Sequence, residues 1–342
     1  MKNSLKKRFR LPVPAAYGLN LVLFAGFLFA GNALFTSGLL PGYFTKVAML
    51  IGVNVILAVS LNMATGYLGQ LPLGHAGFMA VGAYACAIFM TRVNAPAALM
   101  FPLGIAIGGA VAALFGIGIG IPALRLKGDY LAIITLGFGE IIRVVLLNID
   151  NVLGFKLTNG AAGLQNIPKT TTFLNAWLCV GAACFFIHTL IKSRHGRAIL
   201  SIRENEIAAD CCGVDATYYK TLGFTVSAFF AGVAGALYAG YLGILNPGGF
   251  GFMKSIEILV MVVLGGMGSM IGSVLAAVGL TALPELLRAF SDYRMIAYSL
   301  LLVAVMIFKP SGLMGRYDFS MTRLVEGAFN GRAKQAKAGE AK

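Results

Sequence analysis

The chain has 342 residues, of which 58% are apolar and only 12% are charged. An ordinary soluble domain has about 25% charged residues, so this composition excludes a soluble globular protein of the usual kind and indicates an integral membrane protein. The net charge of +14 is consistent with three causes: nucleic-acid binding, contact with anionic lipid, or the basic cytoplasmic loops of membrane proteins.

The chain begins with a basic arm, residues 1–16, that is predicted to lie in the cytoplasm. The apolar run after it, from about Tyr17 to Phe35, is longer than the apolar part of a usual signal peptide, so we predict a first membrane helix that is retained. No basic stretch alternates with aromatic residues as a nucleic-acid groove does. The lipid bilayer is therefore a predicted partner and nucleic acid is not.

Nine apolar runs follow one another along residues 17–308, and each is about as long as a membrane-spanning helix or longer. Each run is predicted to be helical, because a lipid-exposed backbone must satisfy its own hydrogen bonds. The runs do not alternate in hydropathy as the strands of an outer-membrane barrel do. They cover residues 17–36, 46–65, 74–91, 97–122, 130–148, 174–191, 221–244, 255–283 and 294–308.

The basic residues between the runs set their expected orientation. With the N-terminus in the cytoplasm, the loop that holds Arg125 and Lys127 and the loop 192–220 both fall on the cytoplasmic side. Nine spans would leave the basic tail, residues 309–342, outside, so an even number is predicted, and the long run 255–283 is expected to cross as two segments. The predicted fold is all-α: a polytopic membrane bundle of about ten transmembrane segments with both termini cytoplasmic.

Two apolar stretches are poorly suited to a continuous helix because they are rich in glycine. The first is 66–77, which is too apolar for a solvated loop, and the second is 265–272. Matching interruptions in the two halves of a membrane chain indicate a transport pathway, and tight turns between packed helices are the alternative. The candidate pathway residues are Gly69, Gln70, His75, Gly265, Gly266 and Gly268.

Few polar side chains lie within the predicted spans. Three roles are open for His75: a gate, a hydrogen-bond partner of a substrate carboxylate, or the cap of a half-helix. Glu140 and Arg143 are three residues apart on one helix face and can form an intramembrane ion pair. Such a pair is a functional candidate, with a purely structural contact as the alternative.

No signature of an enzyme is present in the sequence. There is no P-loop for ATP and no Gly-x-Ser-x-Gly nucleophile motif. The three histidines and five cysteines lack the spacing of metal ligands or of a disulfide framework. We therefore predict no catalytic residue, no metal and no cofactor. If ATP drives transport, a separate subunit must hydrolyse it.

The loop 192–220 is the longest polar stretch between spans, and its basic and acidic residues nearly balance. Its middle, residues 203–214, is predicted to be a short exposed helix that ends at a glycine, with a solvated linker as the alternative. Four residues of this loop resemble the coupling-loop motif of ABC importer permeases. They are Glu206, Ala208, Ala209 and Gly213, and the motif has one more residue than the common form and lacks its closing Leu-Pro.

Longer stretches are similar to one family, the LivM-type permeases of branched-chain amino acid ABC importers. The resemblance runs from about residue 46 to residue 315, and Pro72 stands where such permeases commonly have serine. The stretches that carry it are 62–77, 128–140, 262–269 and 309–313.

The resemblance implies a permease domain, residues 17–308, in a bacterial inner membrane. It also implies a second, LivH-type permease, two cytoplasmic ATP-binding subunits, and an extracytoplasmic binding protein that delivers leucine, isoleucine or valine. The four motif residues would then lie on a coupling helix that docks into an ATP-binding subunit and drives alternating access. The pathway residues would lie near the translocation path.

Other functions stay open at the level of sequence. Within the ABC class, urea or another small polar solute is the alternative substrate. An ion-coupled secondary carrier is the alternative transporter class, and it would work without ATP. A membrane enzyme that uses His75 is a third alternative, although no nucleophile or metal partner accompanies this histidine.

Overall fold

The computed structural model describes residues 13–37, 41–93, 96–126, 128–154, 157–290, 294–309 and 312–315. Most of the basic arm 1–16 and of the basic tail 309–342 lies outside these ranges, as do Lys127 and two residues of the 309–313 stretch. The predictions made for them stay predictions.

The described part of the chain is helical and contains no β-strand. Long apolar runs without alternation favour this outcome, because helices satisfy their backbone groups internally. The helices are α1 (Val13–Thr36), α2 (Gly42–Asn62), α3 (His75–Arg92), α4 (Ala97–Ala123), α5 (Asp129–Leu153), α6 (Phe173–Lys192), α7 (Arg194–Glu204), α8 (Glu206–Cys211), α9 (Ala216–Leu242), α10 (Phe252–Gly265), α11 (Met270–Leu286) and α12 (Arg294–Phe308).

Five of the described helices are long and apolar enough to cross a membrane. They are Gly42–Tyr67, Leu99–Ala123, Asp129–Val152, Phe173–Lys192 and Ala216–Leu242, and two shorter apolar helices are Leu21–Phe35 and Met270–Leu286. The all-helical prediction is confirmed. The number of ten crossings and the cytoplasmic placement of both termini remain predictions.

Helix α9 lies at the centre of the bundle and packs against α2, α3 and α4. Glycines allow this close packing: a Cβ atom on Gly232 of α9 would lie 2.6 Å from the carbonyl oxygen of Gly108 on α4. A Cβ atom on Gly108 would in turn lie 2.7 Å from the carbonyl oxygen of Gly82 on α3. Three backbones therefore meet where no side chain fits, which is the usual way for membrane helices to approach closely.

The outer helices are less buried than the central ones. About a fifth of the apolar window of α5 and of α6 is buried, whereas most of that of α2 and α9 is buried (22% against 72%). The outer apolar faces are suited to lipid or to partner subunits, because neither requires a polar surface.

Both predicted interruptions are present. Helix α2 continues as a π-helical turn, Met63–Tyr67, after which the chain is irregular until α3 begins at His75. The run 255–283 is divided between α10 and α11, with non-helical backbone from Gly266 to Ser269. The run is divided into two helices because Gly266 adopts a φ of 105° that a helix does not allow, and the crossing of the membrane by both segments stays a prediction.

Candidate translocation and coupling site

The two interrupted segments contact each other through residues 62–69 and 265–269, a contact we call the junction. Asn62 is fully buried there and joins the segments with both ends of its amide. Its Nδ2 donates to the carbonyl oxygen of Ser269 (3.1 Å), and its Oδ1 accepts from the main-chain nitrogen of Gly268 (2.8 Å). One side chain thus provides an acceptor for the N–H of Gly268, which lies outside both helices, and a further donor for the carbonyl of Ser269, which also accepts from Ser273 in α11.

Glycine is required where the segments cross. A Cβ atom on Gly66 would collide with the main chain of Gly268. Gly69 and Gly268 adopt φ values of 73° and 88°, in the left-handed region that favours glycine. The π-helical turn adds a further irregularity, because Leu68 donates its main-chain N–H to the carbonyl of Met63, five residues back. Such turns occur often at functional sites.

The structure brings most of the predicted pathway residues to the junction. Gly69, Gly265, Gly266 and Gly268 belong to it, and Gln70 follows it, with its main-chain nitrogen bonded to the carbonyl of Ala64 (3.0 Å). The Gln70 side chain is half-buried and has no hydrogen-bond partner among the described residues. The chain after α12 also reaches the junction.

The chain after α12 contacts the second interruption at the end of α10. Leu313 donates its main-chain N–H to the carbonyl oxygen of Leu264 (2.8 Å), and a Cβ atom on Gly312 would collide with Gly266. The carbonyl of Leu264 lies in the last turn of α10, where no helical donor remains. The segment 312–315 therefore caps α10.

His75 lies away from the junction, at the first residue of α3. It is almost completely buried, and its Nε2 lies 2.9 Å from Ser60 Oγ on α2. Because the Ser60 hydroxyl donates its only proton to the carbonyl of Leu57 (2.9 Å), we infer that Nε2–H donates to Ser60. Ser227 of α9 donates to the carbonyl of Ser60 (2.7 Å). His75 thus ties α3 to α2, and Ser60 in turn ties α2 to α9. The gating and carboxylate-binding roles of His75 stay predictions.

Glu140 and Arg143 form the predicted ion pair, with 2.6 Å between Arg143 Nε and Glu140 Oε2. About a third of each side chain is exposed (34% and 30%). Glu140 Oε1 also accepts from the main-chain nitrogen of Phe252 (3.1 Å), which begins α10. The carboxylate thus lies against the positive end of a short helix, which is a favourable arrangement.

This ion pair borders a small cleft between the first turns of α3 and α10. Ser255 of α10 accepts a hydrogen bond from the main-chain nitrogen of Ala76 (3.1 Å), so two helix starts meet there. No local pattern in the sequence indicates this contact, because Ala76 and Ser255 are 179 positions apart. The cleft is lined by Leu73, Gly77, Leu136, Gly139, Glu140, Phe250, Gly251, Phe252 and Ser255.

The predicted coupling helix differs from expectation at its start. The prediction of one helix over 203–214 is wrong, because Asn205 separates α7 from α8 and caps α8 by accepting from Ala208 N (3.1 Å). Asparagine is among the preferred residues at a helix N-cap. The predicted end is correct, since Gly213 follows α8 with a φ of 80°.

The four predicted coupling residues divide into outer and inner ones. Ala208 and Gly213 are exposed, as is Ile207 beside them (72%). Ala209 is buried in a small apolar cluster with residues of α7 and α9. Glu206 accepts from Lys220 Nζ (2.7 Å), and only 3% of the Lys220 side chain is exposed. Glu206 therefore holds α8 against α9.

One residue of this region that the sequence did not single out contacts the junction directly. Arg203, the penultimate residue of α7, donates from Nη1 to the carbonyl oxygen of Gly66 (2.6 Å). The two residues are 137 positions apart, and no local pattern predicts such a contact.

Among the described residues, no group of His, Cys, Asp or Glu side chains could hold a metal ion.

The sequence matches the family described as the permease component of the branched-chain amino acid transport system, over residues 43–309. It is 38% identical to the high-affinity branched-chain amino acid transport system permease protein LivM of Escherichia coli K12, over 85% of this chain and 73% of that protein.

More distant relatives have similar descriptions. The permease protein BraD of Pseudomonas aeruginosa is 27% identical over 76% of this chain and 91% of that protein. The permease protein LivH of Escherichia coli K12 is 29% identical over 44% of this chain and 51% of that protein. Among solved structures, PsaBC from Streptococcus pneumoniae in complex with Fab has a TM-score of 0.42 and 14% identity, covering 81% of this chain and 94% of that chain.

Proposed function

The chain belongs to the permease family of branched-chain amino acid transport systems, and on that premise we propose that it forms part of an import pathway for leucine, isoleucine and valine. The observation that carries the proposal is the junction, where two interrupted apolar segments meet in the interior of a membrane permease. Irregular backbone of this kind is tolerated at a pathway and is costly in a simple bundle. Gly69, Gln70 and Gly268 are the pathway residues of this proposal.

The energy source in this proposal is ATP hydrolysis on separate subunits. The sequence has no P-loop, and α8 offers a small exposed surface around Ile207, Ala208 and Gly213 that suits docking into another protein. One cytoplasmic ATP-binding subunit is proposed to dock on this surface, and a second one on the equivalent surface of a LivH-type permease. An extracytoplasmic binding protein is the proposed donor of the amino acid, and the proposed mechanism is alternating access in the bacterial inner membrane.

The Glu140–Arg143 pair has a structural role in this proposal. Its carboxylate is fixed by two donors, one from Arg143 and one from the main chain of Phe252. These bonds connect the middle of α5 to the start of α10, beside the cleft. A carboxylate held by two donors is suited to keep α5 and α10 at a fixed distance. It is poorly suited to leave Arg143 and bind a charged solute.

Uptake by reconstituted vesicles tests the proposal. The chain is co-expressed with a LivH-type permease, the two ATP-binding subunits and the binding protein, and radiolabelled leucine is supplied outside vesicles that contain ATP and no ion gradient. We expect uptake that requires ATP and competes with isoleucine and valine. Uptake driven by an H⁺ or Na⁺ gradient without ATP would identify a secondary carrier, and ATP-driven uptake of urea but not leucine would identify the other substrate class.

A further inference from the structure

Arg203 occupies a position from which it can act on both interrupted segments. Its Nη1 donates to the carbonyl oxygen of Gly66 (2.6 Å), in the π-helical turn. A Cβ atom on Gly268 would lie 3.1 Å from the same nitrogen, so the guanidinium lies beside the second segment too. The side-chain stem packs on Gly69, where a Cβ atom would lie 3.1 Å from Arg203 Cγ.

The electrostatics of this contact favour a firm link. Arg203 is half-buried, and no carboxylate of the described residues forms an ion pair with it. Its charge lies at the C-terminal end of α2 and the π-helical turn, where the helix dipole favours a cation. A charge-assisted hydrogen bond is stronger and shorter than a neutral one, in agreement with the short distance to Gly66.

Arg203 is also rigidly connected to α8. It is followed by Glu204 and then by Asn205, whose side chain caps α8. Ile202 of α7, Ala209 of α8 and Ala216 of α9 pack together in one buried cluster. Because α8 is fixed to α7 in this way, a displacement of α8 moves Arg203 with it.

We propose that Arg203 is a positioning residue that transmits the movement of α8 to the junction. The inference rests on the proposed function, in which α8 docks on an ATP-binding subunit. The path runs from α8 through the end of α7 and the guanidinium to the carbonyl of Gly66, and from there through Asn62 to the second segment. A second connection joins α8 to the bundle through α9, and it does not include the hydrogen bond between Arg203 and Gly66.

The test compares Arg203→Met with Arg197→Met in the assembled, reconstituted complex. Arg197 lies on the same helix, is exposed, and donates only to the carbonyl of Lys192 at the end of α6 (3.3 Å), so its replacement removes the same charge without touching the junction. Three quantities are measured: the co-purified ATP-binding subunits, the rate of ATP hydrolysis, and the leucine imported per ATP hydrolysed.

We expect Arg203→Met to retain its ATP-binding subunits and to hydrolyse ATP at a rate within about twofold of wild type, while importing about tenfold less leucine per ATP, a common size for coupling between sites. Arg203→Lys keeps the charge and one donor, so we expect it to recover part of the ratio. Arg197→Met should keep the wild-type ratio.

An unchanged ratio of leucine to ATP in Arg203→Met overturns the inference. If Arg203→Met does not fold, the ratio is read on Arg203→Lys, and failure of both variants to fold assigns Arg203 a purely structural role and also overturns it. A wild-type complex that imports no leucine with ATP contradicts the proposed function itself. The two failures are therefore distinguishable.

Discussion

The substitution Asn62→Leu tests the stability of the junction most directly. Leucine has nearly the shape of asparagine but neither donor nor acceptor, so the main-chain N–H of Gly268 loses its partner, whereas the carbonyl of Ser269 still accepts from the main-chain nitrogen and the hydroxyl of Ser273 (3.1 Å each). The unsatisfied N–H costs about 1–3 kcal/mol, and the lost hydrogen bond to Ser269 costs about a further 0.5–1.5 kcal/mol. The larger apolar side chain returns about 1–2 kcal/mol, so at mid-range values the expected net decrease in unfolding free energy is about 1.5 kcal/mol.

The assay is reversible unfolding in mixed micelles on addition of a denaturing detergent. Trp177 is the single tryptophan of the chain and packs against Phe27 and Phe173, so its fluorescence reports tertiary structure. The matched control is Asn148→Leu, because Asn148 is exposed on α5 and donates only to the carbonyl of Val144 in its own helix (2.9 Å). We expect a change within about 0.5 kcal/mol for this control. Equal effects of the two substitutions would show that the Asn62 bonds do not hold the segments together.

Further predictions concern the coupling region and the packing. Gly213→Arg should abolish leucine uptake without unfolding the permease, whereas Gly213→Asn, which tolerates a positive φ, should retain uptake; normal uptake by the arginine variant would contradict docking at this site. Cys211 and Cys212 are exposed and should react with a membrane-impermeant maleimide in inverted vesicles but not in intact cells, with buried Cys86 as the unreactive reference; reaction in intact cells would contradict the predicted topology. Gly232→Leu should lower the unfolding free energy by about 2 kcal/mol or more, because α4 must move away from α9, and a stability equal to that of wild type in the detergent titration would contradict this packing.

Much of the fold could be predicted because membrane helices leave a strong local pattern. Each apolar run corresponds to one helix except 255–283, which contains two. Glycine content indicates both interruptions, since residues 66–77 and 265–272 lack the helix formers that a continuous span needs. The coupling region was only partly predictable. Asn205 ends one helix and begins another, and a capping residue inside a charged stretch is easily read as part of a helix.

The contacts that define the site could not be predicted from the sequence. Asn62 and Gly268 are 206 positions apart, and a hydrogen bond at that separation has no periodicity. The motif predicts a docking role for Glu206, whereas in the structure its carboxylate forms an ion pair with Lys220. Lys220 lies in α9, although the sequence places it in the loop 192–220. Side-chain bonds between distant helices are decided by packing and leave no trace in a single sequence.

The cap that residues 312–315 place on α10 has a consequence for the biosynthesis of this protein. Leu313 supplies the donor for Leu264, and a chain is made from its N-terminus, so this contact cannot form until α12 and the residues after it have been synthesised. Until then, the end of α10 offers a free carbonyl in the interior of the bundle. A nascent chain stalled before residue 312 would therefore carry all of its long helices and still lack this cap on α10. For the same reason, we expect a C-terminal truncation before residue 312 to remove this cap and one after residue 315 to leave it in place.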